Sequence, residues 1–275
     1  RGARARGDVR GGGMTGLSRA ELAALSPSAL RALIRAGDHA GVTSGLAPGV
    51  LQGNLAILPT EAADDFAAFC AANPAALPVI ERGRPGDPIL TCAAGFDLRT
   101  DLPGYQVWRD GAPAETCADI SALWSSDLTA FALGCWFANE SALAAAGIRM
   151  RHIERGVQGA LFRTRRAATP AGRFSGPEVV SMRPFATADV PRIRAITGAR
   201  PQAHGAPLDL DAAALGVDLS APDWGDAIPP ERGETALFWP CGLTGQEALA
   251  ASGLPFFITH RPGCMVVTDL PAEPA

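Results

Sequence analysis

Residues 238–269 read FWPCGLTGQEALAASGLPFFITHRPGCMVVTD. Three apolar runs, ending near Trp239, Thr259 and Thr268, have the length and β-branched or aromatic content of buried strands. Between them lie a Trp-Pro-Cys-Gly turn, a short helix from about Thr244, and a His-Arg-Pro-Gly turn. Cys241 and His260 therefore fall at strand ends, where an α/β sheet presents polar groups to a crevice. Working outward, four more blocks are built in the same way, namely QGNLAILP (52–59), RTDLPGYQVW (99–108), VVSMRP (179–184) and HGAP (204–207). Each is bounded by Gly or Pro and carries a few polar side chains.

The rest of the chain supplies helices and turns. Ser18-x-x-Glu21 is a capping-box pattern, with a break expected near Pro27. Strands are predicted at 55–58, 79–80 and 105–109, the last closing on an Asp110-Gly111 turn. A helix follows Thr60 to about residue 72. The apolar stretch 119–147 predicts a helix broken near Gly134. Beyond it, 148–153, 160–164 and 178–183 alternate like strands, and 187–197 reads as a helix with Thr187 as N-cap. This order predicts an α/β protein: a mixed-sheet, three-layer core from residues 14–125 and 206–275, with a smaller two-layer α+β unit, 126–205, inserted into it. Residues 1–13 are Arg/Gly-rich with almost nothing to bury and are expected to be disordered.

Composition excludes several functions. All 24 basic residues are Arg, against 28 acidic ones, for a net charge of −4. Without Lys there is no Schiff base and no phosphate-loop lysine. An anionic substrate must be held by Arg, backbone N–H groups or helix N-termini. The charge balance argues against nucleic acid, and no apolar run reaches the ~18 residues of a membrane span. The six Cys form no C-x-x-C pair and read as free thiols of a reducing cytoplasm. His260-x-x-x-Cys264 has a ligand-like spacing, but Pro262-Gly263 forbids a helix there and no third ligand follows, so no metal is expected.

Taken in order, the blocks from about Leu17 to Asp269 resemble the D-glutamate cyclase family, including its bacterial hydro-lyase branch. The resemblance implies an enzyme without a cofactor that cyclises D-glutamate to 5-oxo-D-proline with loss of water. It implies a small amino-acid or carboxylic-acid substrate and leaves homodimerisation open. Several family blocks are altered. VQGALFRTRR (157–166) keeps only Arg163 and Thr164 of an Asn-Val-Pro-Met-Tyr-Arg-Thr-Asn run. WFANE (136–140) stands in place of Ser-Phe-Ser-Phe-Glu, keeping Glu140. Thr244-Gly245-Gln246 replaces Thr-Pro-Gln, and Cys264 stands where His is common.

Such a reaction needs a general base and acid, oxyanion donors and cationic clamps. His260 and His204 are the proton-transfer candidates, since His titrates near neutrality. Arg183 and Arg99 are the carboxylate clamps, one of them expected to pair with an Asp such as Asp101; Arg163 is a further binding candidate. Asn54, Gln52 and the Cys241 region are the oxyanion donors. Asp226, beside Asp223, reads as an Asx turn or a base. His152 and Glu154, two apart on a predicted strand, read as a salt link or an acid/base pair. Two rivals remain: a Cys241-dependent amidohydrolase or acyl transferase, and a non-catalytic binder of acidic metabolites.

Overall fold

The computed structural model describes residues 16–272, so the expected disorder of residues 1–13 lies outside the described residues. In chain order the elements are α1 (Arg19–Ala23), α2 (Pro27–Arg35), β1 (Val50–Pro59), α3 (Ala63–Ala72), β2 (Val79–Arg82), β3 (Tyr105–Arg109), β4 (Ala112–Cys117), β5 (Leu128–Gly134), α4 (Glu140–Ala145), α5 (Arg151–Glu154), β6 (Ala160–Ala167), β7 (Pro177–Ala186), α6 (Val190–Gly198), α7 (Ala212–Leu215), β8 (Glu234–Pro240), α8 (Leu243–Ala251), β9 (Phe256–His260) and β10 (Val266–Pro271). Local signals act where expected. Ser18 and Glu21 form a complete capping box on α1, and Ser26 caps α2 with Pro27 in its first turn.

Helices and strands build an α/β protein with a larger and a smaller sheet. The larger has the order β2-β5-β1-β9-β3-β4, with β10 also on β1; the smaller is β6-β7-β8. A mixed sheet was expected, but every ladder is antiparallel. Strand membership also crosses the expected domain boundaries. β5 is central to the larger sheet, between β2 and β1, and β8 pairs with β7 in the smaller one.

One face of the larger sheet is covered by α3 and α8, through Phe66, Phe69, Ala248 and Leu249 against Phe131, Leu133 and Phe257. Phe66 meets Phe131 and Phe174 edge-on, with centroids 5.0 and 5.2 Å apart. Burying each such ring stabilises the fold by about 1.5–3 kcal/mol. The other face is covered largely by irregular chain carrying Leu90, Phe96, Leu98 and Leu102. Strand β5 is buried along its whole length because its side chains enter both cores. Its continuous apolar run lacks the alternation that marks a half-exposed strand, and this is why 119–147 reads as helical.

In the smaller sheet, Trp136, Leu143, Phe185, Ile193, Leu237 and Trp239 make the core of one face, and Phe162, Val180, Met182 and Phe238 that of the other. Residues 148–153 do not form the expected strand; Arg151–Glu154 is a single helical turn. Thr187 and Thr60 do not cap helices through their side chains. Their hydroxyls instead pair with those of Thr235 and Thr129 on adjacent strands.

Candidate functional site

The two sheets meet where β1, β5 and β9 of the larger approach the segment after β8 at the start of α8. The edge of β1 opposite β5 is shared: β10 takes Val50–Gly53 and β9 takes Ala56–Ile57. His260 ends β9 at this fork, and its Nδ1 accepts the Leu55 N–H at 3.1 Å. Asn54, one residue earlier, donates from Nδ2 to the Gly134 carbonyl at 2.9 Å. A Cβ on Gly242 would lie 2.4 Å from Asn54 Nδ2, so the start of α8 abuts the same side chain. Asn54, Gly242, Leu243, Gln246, Thr259 and His260 line a crevice of about 10 Å³, room for a single water. A five-carbon amino acid enters only if this seam widens.

Arg183, on β7, is 3% exposed and lies near Cys241, the residue before Gly242 of the crevice. Its guanidinium carbon lies 4.8 Å from the centroid of Trp136. Nη1 donates to the Met182 carbonyl at 2.8 Å, while the buried Nε has no partner. Among the described residues no carboxylate pairs with it. Burial pulls its pKa down, while Glu140 is near enough to favour its charge. Gly159 packs directly against the guanidinium: a Cβ there would fall 1.9 Å from the guanidinium carbon, so only glycine admits the cation. A buried cation without an anion is costly, and a carboxylate is the planar acceptor that fits its fork.

Behind Trp136 lies a buried acid–imidazole pair. His152 Nε2 is 3.1 Å from Glu140 Oε1, and the imidazole meets Trp136 edge-on at 5.7 Å. The expected His152–Glu154 link is not formed. On a helical turn, residues two apart point to different sides. His152 turns inward to Glu140, and Glu154 turns out to Arg149 at 2.7 Å.

The two candidate histidines differ in tautomer. His260 Nδ1 accepts from a backbone N–H, so its proton is on Nε2. His204 Nδ1 lies 2.8 Å from the Ala75 carbonyl, which only accepts, so its proton is on Nδ1. Burial holds both at about 4 and hence neutral at pH 7. His204 has φ +74°, unusual for a side-chain-bearing residue. Its loop presses on the end of β5 so closely that a Cβ on Gly134 would meet the Gln202 carbonyl at 1.7 Å. Cys135 and Cys241 flank Arg183 from the ends of β5 and β8. Each residue keeps partial exposure, yet burial raises Cys135 to about 12 and raises Cys241 against the pull of nearby N–H groups and Arg183. Both thiols stay protonated at neutral pH.

Thus Asn54, Arg183, Cys241 and His260 come together, with His204 on the flanking loop. The other candidates have other contacts. Gln52 donates to the Thr43 and Leu46 carbonyls and ties down that loop. Arg99 is clamped by Asp97 at 2.7 Å; Asp101 is taken by Arg35. Arg163 binds Asp223 and Glu247 and covers Trp224 at 4.2 Å. Asp226 accepts the Gln158 N–H, and Asp223 the Arg163 N–H, so neither makes the Asx turn expected of them. Sequence reasoning missed Glu140, Trp136 and Gly159 as site residues. Retention of Glu140 in the altered WFANE block is the one signal that points to them.

The D-glutamate cyclase family model matches residues 129–269, from β5 through β10. Curated relatives extend the likeness over the whole seam. Proteins from Jannaschia sp. (strain CCS1), Pseudomonas aeruginosa (strain UCBPP-PA14) and Rhizobium johnstonii are each 48% identical to this chain. They cover 88%, 90% and 92% of it, and 92%, 95% and 96% of their own lengths. All three carry the name "Putative hydro-lyase". Identity at that level, spread over both sheets and the seam between them, makes this chain a member of the D-glutamate cyclase family.

Proposed function

We propose that the protein is a hydro-lyase that closes D-glutamate into 5-oxo-D-proline with release of water. The observation that carries this reading is Arg183, a buried guanidinium with an unpartnered Nε and no carboxylate paired to it. A substrate carboxylate supplies the missing anion. D-Glutamate brings two carboxylates, one for Arg183 and one to be attacked by its own amine. Holding both ends of the chain favours the bent rotamer, and for an intramolecular closure this contributes much of the rate.

Charge develops on the attacked carboxyl oxygens. The Nε2–H of His260 and the amide of Asn54 are neutral donors for them. The N-terminal end of α8, at Gly242 and Leu243, favours negative charge in the same crevice. The high thiol pKa values of Cys135 and Cys241 weigh against a cysteine nucleophile. No helix among the described residues is long and apolar enough to cross a membrane.

Chiral chromatography after separate incubation with D-glutamate, L-glutamate and 5-oxo-D-proline tests the reading, with Arg183→Lys alongside. Conversion of D-glutamate alone is expected, with KM raised at least tenfold in the variant, since an ammonium does not reproduce the planar fork. Folded protein that converts neither glutamate enantiomer overturns the proposal. A ligand-induced rise in Tm without turnover would then identify a binding protein.

A further inference from the structure

We propose that Glu140 and His152 form the proton-transfer unit of this site, with His152 Nδ1 taking a proton from the substrate ammonium and Glu140 fixing the imidazole. The inference rests on the cyclisation reading and names groups for its proton steps. A carboxylate only accepts, so the 3.1 Å contact makes His152 Nε2 the donor to Glu140 and leaves the lone pair on Nδ1. Nδ1 has no hydrogen bond among the described residues, and the buried ring meets edge-on the same Trp136 indole that Arg183 lies over. A carboxylate that sets the tautomer of an imidazole base is the arrangement that general-base catalysis requires.

The proton balance closes without another reactant. The ammonium gives one proton to Nδ1, and the free amine forms the C–N bond to the distal carboxyl carbon. The tetrahedral intermediate loses a second proton from nitrogen. Both protons end on the departing oxygen, the C–O bond breaks, and water leaves. Substrate and product carry the same net charge, so His152 finishes the cycle neutral.

The groups facing His152 are Glu140 from α4 and Arg183 from β7. Burial and Arg183 hold its pKa below the usual 6.5, while Glu140 raises it. For a base that must be neutral, kcat/KM falls on the acid side as pH drops through this value. Removing the Glu140 charge moves that limb to lower pH.

His152→Gln and Glu140→Gln test the assignment, with folding checked by circular dichroism and thermal melting. His152→Gln is expected to lower kcat by 10²–10⁴-fold, with KM within about threefold and the D-glutamate-induced Tm shift intact. Glu140→Gln is expected to lower kcat at least tenfold and to shift the acid limb downward, a change that a purely structural carboxylate would not cause. It carries the test if His152→Gln does not fold. Wild-type kcat in either folded variant, or an unmoved acid limb in Glu140→Gln, overturns the role while D-glutamate turnover stands. Absence of turnover in the wild type overturns the cyclisation reading, and this role with it.

Discussion

Replacing Gly159 with Ala should cripple substrate binding while leaving most of the stability intact. The new Cβ would stand 1.9 Å from the Arg183 guanidinium carbon, 2.0 Å from Nη1 and 2.4 Å from Nε. An ordinary carbon–carbon contact needs about 3.5 Å, so the guanidinium must retreat by roughly 1.6 Å. Trp136 also packs against it at 4.8 Å, so there is little room for the cation to move without swinging out of register. Overpacking of this kind costs about 1–3 kcal/mol of stability. A lost charge-assisted hydrogen bond to substrate costs about 1.5–3 kcal/mol, which at 1.4 kcal/mol per decade is about a 10- to 150-fold rise in KM for D-glutamate. Initial rates by chromatography and Tm by scanning fluorimetry measure the two effects separately. A variant with lowered Tm but unchanged KM would refute the reasoning, because the displaced guanidinium would then not be holding the carboxylate.

Three further outcomes are expected. Asp269→Asn removes the carboxylate that pairs two-pronged with buried Arg31 of α2. Urea melts should show a loss of about 2 kcal/mol, less than the 3–5 of a fully buried pair because Asp269 is 37% exposed. Iodoacetamide at pH 7 should leave turnover nearly unchanged, since Cys135 and Cys241 remain thiols; rapid inactivation prevented by D-glutamate would favour a cysteine mechanism. Finally, His204 and His260 titrate at about 4 in the fold against about 6.5 unfolded, so between these values the unfolded chain binds more protons. Stability is full above pH 6.5 and declines as pH falls toward 4. Thermal melts between pH 6.5 and 5, above the main carboxylate range, should show this slope, and a His204→Asn/His260→Asn double variant should make it shallower, with the lowered His152 and His39 still contributing.

Much of the seam is legible in the sequence. Asn54, Arg183, Cys241 and His260 are marked by polar or reactive side chains beside apolar runs; His260 ends β9 and Cys241 follows β8, whereas Asn54 and Arg183 lie inside β1 and β7. Arg99 and Arg163 carry the same mark and are engaged by Asp97, and by Asp223 and Glu247. Which Arg stays without a carboxylate depends on neighbours distant in sequence. Arg163 and Glu247 are 84 positions apart, and Arg183 is defined by the carboxylate it lacks.

By itself the sequence determined what depends on neighbours a few residues away. The capping box of α1, the Pro27 break, the Asp110-Gly111 turn and the strands near residues 55, 105, 180, 238 and 257 all follow from local backbone preference. The absence of Lys, with the chemistry it excludes, is a matter of composition alone. Only the tertiary structure decided that β5 is a strand, because burial on both faces erases the alternation that would announce it. It also decided that His152 faces Glu140 rather than Glu154, because one helical turn in place of a strand sends neighbouring side chains to different sides. Contacts of this kind are set by packing between elements, and packing is a property of the whole chain rather than of any segment within it.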